Sequence, residues 1–88
     1  LPPRRRTSPR SPDHEALGQA IEKLRKDAGL THEELAERTG MSFQRISELE
    51  RGIANPTFAT LVRMTEGLGV QLSDIASLAE KIRDEKRN

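Results

Sequence analysis

The side chains with most to offer chemically stand close together: Gln44, Ser47, Glu48 and Arg51, an amide, a hydroxyl, a carboxylate and a guanidinium. Together they can donate and accept hydrogen bonds, but none is paired with a base that would make it a nucleophile. The chain has no cysteine, which excludes a thiol nucleophile, a disulfide framework and a zinc finger. Its two histidines, His14 and His32, are isolated and cannot assemble a metal site by themselves. Paired carboxylates and a phosphate-cradling glycine loop are missing, and "ERTG" and "ERGIAN" read as helix stops. The residues therefore predict no catalysis, no cofactor and no metal. What they offer is recognition by hydrogen bonding.

A short helix must position these groups, capped by Ser42 and running to about Arg51 before Gly52. At about 100° per residue, Ile46 marks its buried side, with Ser42, Leu49 and Glu50 within about 60° of it. Gln44, Ser47, Glu48 and Arg51 fall on the opposite face, and Phe43 and Arg45 on opposite flanks. This outer face is polar and has no apolar seam. It suits a helix lying edge-on in a DNA major groove, and equally an ordinary solvated helix. Glu50 is the exception, because a carboxylate on the core side is costly unless paired and hydrogen-bonded. Arg25, on the flank of the first helix's apolar stripe, is the predicted structural partner, its planar fork able to take both carboxylate oxygens.

Four further helices frame this one. Leu17, Ala20, Ile21, Leu24 and Ala28 form one stripe over His14 to Ala28. Thr31 with Glu34 forms a capping box that opens a second helix ending near Thr39. The turn Thr39-Gly40-Met41 then joins two short helices as in a helix-turn-helix, with Ala36 expected where their backbones approach. Asn55-Pro56 combines a cap residue with proline at the first helical position, predicting a fourth helix with Phe58, Leu61, Val62, Thr65 and Leu68 on one side. Gly67 in its last turn costs about 1 kcal/mol relative to alanine. Leu72, Ile75, Ala76, Leu78, Ala79 and Ile82 pattern a fifth helix. With short connections throughout, the expected architecture is an all-α, compact five-helix bundle.

Composition agrees with this. Eighty-eight residues leave room for one small domain, and two Phe with no Trp or Tyr favour an aliphatic helical core over a sheet. No apolar run approaches the ~18 residues of a membrane helix, and no signal-peptide core is present, so a cytoplasmic protein is expected. A chain opening on Leu1 in place of Met is expected to be a trimmed start. The net charge of +1 hides an asymmetry: residues 1–12 hold Arg4, Arg5, Arg6 and Arg10, no acid, and four of the five prolines. Removing those four from 15 basic residues leaves 11 against 14 acidic, a net of −3 for residues 13–88. The first twelve residues are expected to be a disordered Arg/Pro-rich arm, either a solvated leader or a basic segment that lies along phosphates or in a minor groove. Residues 13–88 form the predicted folded domain.

From Leu24 to Val70 the motifs "LRK..GLT.EELA", "TG.S...IS.LERG" and "NP...L..M.E.LGV" resemble the Xre-type helix-turn-helix family, that of the lambdoid phage repressor and Cro proteins. The resemblance covers roughly Leu17 to Ile75. It implies a five-helix bundle that binds operator DNA as a dimer without catalysis, and it includes an arginine–glutamate pair matching Arg25 and Glu50. Residue by residue, it implies that His32 replaces a glutamine that commonly binds phosphate. Ser42, Phe43, Gln44, Ser47 and Glu48 take base-facing or near-phosphate positions. Gln44 is the strongest base reader, since an amide can bond adenine N6 and N7 together, and Glu48 could accept from cytosine N4. Phe43 meets a thymine methyl or packs on the helix flank. Arg45 and Arg51 suit phosphate clamps. Ile53 and Ala54 stand where many relatives carry basic residues, leaving Asn55, Thr57 and backbone N–H groups to hold phosphate.

One such domain reads few base pairs, so a homodimer on a palindrome is expected, with half-sites about 34 Å apart. Covering the first four helices uses part of the fifth helix's apolar arc of about 160°, which leaves Leu78 and Ile82 as interface candidates unless they complete the core of the single chain. Phe58 and Met64 could join that surface, although Phe58 fits the core better. The expected role is a DNA-binding transcription regulator of the size of restriction–modification controllers and minimal phage repressors. The alternative is an antitoxin-type module that neutralises a protein partner and autoregulates its operon, its mildly acidic body suiting a basic partner.

Overall fold

Ser11 extends its backbone and accepts the N–H of His14 on its side chain, and Pro12 follows at the first helical position. This cap starts helix α1 (Pro12–Asp27) two residues before the apolar stripe alone indicates, because proline's fixed φ and missing N–H suit a first turn. The computed structural model describes residues 11–87, with side chains to residue 86. The expected arm therefore lies outside the described residues except for Ser11 and Pro12, which belong to α1 and its cap.

Four more helices follow: α2 (His32–Thr39), α3 (Phe43–Glu50), α4 (Phe58–Leu68) and α5 (Leu72–Arg87). The described residues contain no strand, and the all-α five-helix architecture is as expected. The Thr31 capping box forms in both directions, with Glu34 N–H donating to the Thr31 hydroxyl at 3.1 Å and Thr31 N–H to Glu34 at 2.9 Å. The backbone N–H and hydroxyl of Thr31 hold the Glu34 carboxyl below the usual range. Gly40, at φ 70°, takes the left-handed conformation that turns the chain from α2 into α3. The carbonyl of Ala36, half-buried at this junction, accepts the N–H groups of both Gly40 and Met41.

Ile21, Leu30, Leu35, Ile46, Met64, Leu68 and Ile75 form the buried core, drawing on every helix and on the α1–α2 turn. Helix α5 lies antiparallel along α1, its Lys86 reaching Glu15 at 3.9 Å.

Two expectations for α4 are corrected. Its N-cap is Thr57, whose hydroxyl accepts from Thr60 N–H, rather than Asn55 followed by Pro56. The Asn55 side chain is engaged elsewhere, 3.2 Å from His14 Nε2. The buried face of α4 is Met64, Gly67 and Leu68, while Phe58 is 70% exposed and no part of the core. Gly67 decides this rotation. A Cβ there would meet the Thr39 side chain at 2.6 Å, so α4 seats on α2 through its glycine, and Phe58, nine residues earlier, falls on the far side. Met64, fully buried, is unavailable to any interface.

An equally close approach brings α1 against α3. A Cβ on Gly18 would press on the carbonyl oxygens of Glu50 and Leu49, lying 2.6 Å from the latter. These are backbone atoms and cannot yield as a flexible side chain does. Gly18→Ala is therefore expected to destabilise the fold by about 1–3 kcal/mol in urea unfolding, despite alanine's better helix propensity. A variant as stable as the parent would show that α1 and α3 have slack between them.

Candidate nucleic-acid interface

The inner side of α3 is fixed by burial and charge. Ile46 and Leu49 are buried in the core, and Glu50, its side chain 3% exposed, meets Arg25 as predicted. Arg25 Nε donates to Glu50 Oε2 at 2.7 Å and Nη2 to Oε1 at 3.1 Å, while Nη1 donates to the Leu30 carbonyl at 2.8 Å. The Glu50 carboxylate raises the Arg25 pKa further, outweighing the opposing effect of burial. The guanidinium thus fastens α3 to α1 and to the turn leading into α2.

Outward, α3 is open. Ser42, Phe43, Gln44 and Arg51 are exposed, and Arg45, Ser47 and Glu48 are partly so. Among the described residues, the side-chain hydrogen bonds of this segment come from its ends, Ser42 capping Arg45 N–H at 3.1 Å and Glu50 binding Arg25 and His32. Gln44, Ser47 and Glu48 are left uncommitted between them. Phe43 packs on the helix flank, its ring meeting the His32 imidazole edge-on with centroids 5.5 Å apart, and it stays 48% exposed.

His32 sits at the start of α2, beside Phe43, on the same side as the first turn of α3. Its Nε2 lies 2.9 Å from Glu50 Oε1, a link that sequence reasoning missed. A carboxylate can only accept, so the one N–H of a neutral ring is engaged at Glu50. His32 and Glu50 are 18 positions apart, and neither helix's periodicity shows that they meet.

His14 is the other residue that sequence reasoning missed. Its Nδ1 lies 2.6 Å from the Ser11 hydroxyl and its Nε2 3.2 Å from Asn55 Oδ1. Gly52, at φ 75°, packs against the same turn, where a Cβ would come within 3.0 Å of Glu15 Cα. The first turn of α1 is therefore the support for the loop holding Asn55 and Thr57. Asn55 and Thr57 themselves are exposed, Thr57 sharing its hydroxyl with Thr60. Leu78 and Ile82 are half-buried on α5. No cluster of metal-ligating side chains occurs among the described residues, and no helix there is long and apolar enough to cross a membrane.

A bundle in which a short polar helix is locked from behind and open in front is the architecture of helix-turn-helix proteins, and comparison with known proteins agrees. Residues 21–75 match the helix-turn-helix family model. The chain belongs to this family, and the Xre-type resemblance of its motifs holds. It is 46% identical over 54 residues to an uncharacterised HTH-type transcriptional regulator, y4dJ, of Sinorhizobium fredii, a match covering 61% of this chain and 70% of that one. Among solved structures, the clp gene regulator ClgR of Corynebacterium glutamicum superposes with a TM-score of 0.82 at 33% identity, covering 85% of this chain and 80% of ClgR. The restriction-modification controller protein C.AhdI of Aeromonas hydrophila gives 0.73 at 25% identity, covering 74% and 98%.

Replacing Arg25 leaves Glu50 buried without its guanidinium partner. Arg25→Ala is expected to cost about 3–5 kcal/mol of folding free energy in chemical denaturation. A loss below about 1 kcal/mol would mean that the pair behaves as an exposed one.

Proposed function

We propose that this protein is a cytoplasmic, sequence-specific DNA-binding transcription regulator without catalytic activity, acting as a homodimer on a palindromic operator with α3 in the major groove. One observation carries this reading: the strip Gln44, Ser47 and Glu48 is accessible and uncommitted while the opposite side of the same helix is pinned by Ile46, Leu49 and the Arg25–Glu50 pair. A groove-reading helix needs both properties, since its side chains must meet base edges at a fixed angle.

In this arrangement Gln44 reads adenine and Glu48 accepts from cytosine. Ser42, Ser47 and the exposed edge of Phe43 complete the base-facing strip. Arg45, Arg51, Asn55, Thr57 and His32 hold the backbone on either side. The tether from His14 to Asn55 fixes the second of these edges. Ser11 bonds the same histidine and so stands beside the loop proposed to face phosphate, which supports a role for the basic segment that precedes it in sequence. Leu78 and Ile82 on α5 form the dimer interface. The outward Phe58 on α4 adds apolar area for a second copy to cover.

Selection from random duplex DNA followed by sequencing tests the whole reading: a palindrome with half-sites about one helical turn apart is expected. Absence of any enriched sequence, together with tight co-purification of a protein partner, would favour the antitoxin-type alternative. Gln44→Ala should weaken the selected site by about 1–3 kcal/mol and leave non-specific binding nearly intact. Equal losses on both would remove Gln44 as a reader. Deleting residues 1–12 should flatten the salt dependence of binding by up to about 0.9 log units for each phosphate the arm neutralises. An unchanged slope would make that segment a leader.

A further inference from the structure

We infer that phosphate binding at His32 is coupled to the uptake of one proton per protomer, so that the DNA affinity of this protein rises as pH falls. The inference rests on the proposed DNA-binding function and on the tautomer that the bundle forces on this ring.

His32 Nε2 lies 2.9 Å from Glu50 Oε1, and both oxygens of that carboxylate already accept from Arg25. A carboxylate in a salt bridge has only lone pairs to offer, so the hydrogen of this bond belongs to the imidazole and sits on Nε2. A neutral imidazole has one N–H. With that proton committed to Glu50, Nδ1 carries a bare lone pair. Nδ1 has no hydrogen-bond partner among the described residues. No buried side-chain nitrogen or oxygen there is left unpartnered, so Nδ1 reaches solvent on a side chain that is 31% exposed.

A phosphodiester oxygen is an anionic acceptor. Facing the lone pair of Nδ1 it finds no donor and an unfavourable dipole. The imidazolium has N–H on both nitrogens and is the one state that bonds Glu50 and a phosphate together. Two charged groups face the ring from other helices, Glu50 of α3 directly and Arg25 of α1 through the same carboxylate. Glu33 is its neighbour on α2, and Phe43 of α3 contributes an uncharged edge. An arriving phosphate adds an anion on the far side of the ring from Glu50 and favours the protonated form in the complex. The charged form is thus preferred more strongly in the complex than in the free protein. By linkage, binding that needs the second N–H strengthens as pH falls and weakens as it rises.

The experiment uses the full chain and mixed-sequence duplex DNA at constant ionic strength. Between about pH 8 and 6 the association constant should rise by up to about tenfold per pH unit for each protomer engaged. Calorimetry at one pH, in buffers of different ionisation enthalpy, should count a net proton uptake of up to one per protomer. His32→Gln should still bind DNA with its pH slope flattened. Because the proton count needs no variant, it stands even if a substitution perturbs folding. Binding without proton uptake, or a slope that survives in His32→Gln, overturns the inference and leaves the DNA-binding function standing. Failure to bind any duplex across the whole pH range removes both.

Discussion

A carboxylate is buried at the end of α3, and most of the geometry follows from keeping it satisfied. Glu50 accepts from two nitrogens of Arg25 and meets His32, and the third guanidinium nitrogen spans to the Leu30 carbonyl. One ion pair thereby ties α1, the α1–α2 turn, α2 and α3 together. Such a pair adds little stability over well-packed apolar side chains, since removing two charges from water costs about what their attraction returns. Its directionality is the gain. An aliphatic contact between α1 and α3 tolerates small rotations of either helix, whereas a fork bonded to both oxygens of a carboxylate tolerates few.

Backbone contacts complete the clamp. Gly18 lets α1 come against the carbonyl groups at the end of α3, and Gly52 lets the following loop settle on the first turn of α1. At the other end of α3, Phe43 leans on His32. The helix is thus held at both ends and along its inner face, while its middle faces solvent. This division lets the outer residues vary without disturbing the fold: Gln44, Ser47 and Glu48 make no contribution to the core that another polar residue could not make.

Features set by near neighbours in the chain were legible from sequence. The Thr31–Glu34 capping box, the left-handed Gly40 and the face of α3 depend on spacings of three or four residues. The Arg25–Glu50 pair was legible although it is long-range, because a carboxylate on a core face admits few partners and Arg25 lay beside the right stripe. The rotation of α4 was not. Its apolar residues nearly encircle the helix, so periodicity could not choose between the side bearing Phe58 and the side bearing Met64. The choice fell to Gly67, which reads as a weak helix former in sequence and acts as a contact surface in the fold. The α4 cap failed for a related reason. Asn55 has the stronger local signal, but His14 takes its side chain, and Thr57 serves instead.

The charge distribution gives this architecture a consequence for recognition. The folded domain carries a net −3 in the residues after position 12, and Glu48 places a carboxylate in the strip proposed to face the bases. Long-range attraction to DNA is therefore weak in the body, where Arg45 and Arg51 stand beside the strip, and four further arginines precede Ser11 in the sequence. With charge so arranged, the proposed DNA binding draws less on long-range attraction than that of a strongly basic domain. In the proposed complex, discrimination rests on hydrogen bonds that form only against the right base edges, with Glu48 repelling the backbone wherever it finds no cytosine amine to meet. The buried pair behind α3 matters most under that regime, because selectivity drawn from a few directional bonds is lost once the helix presenting them can rock.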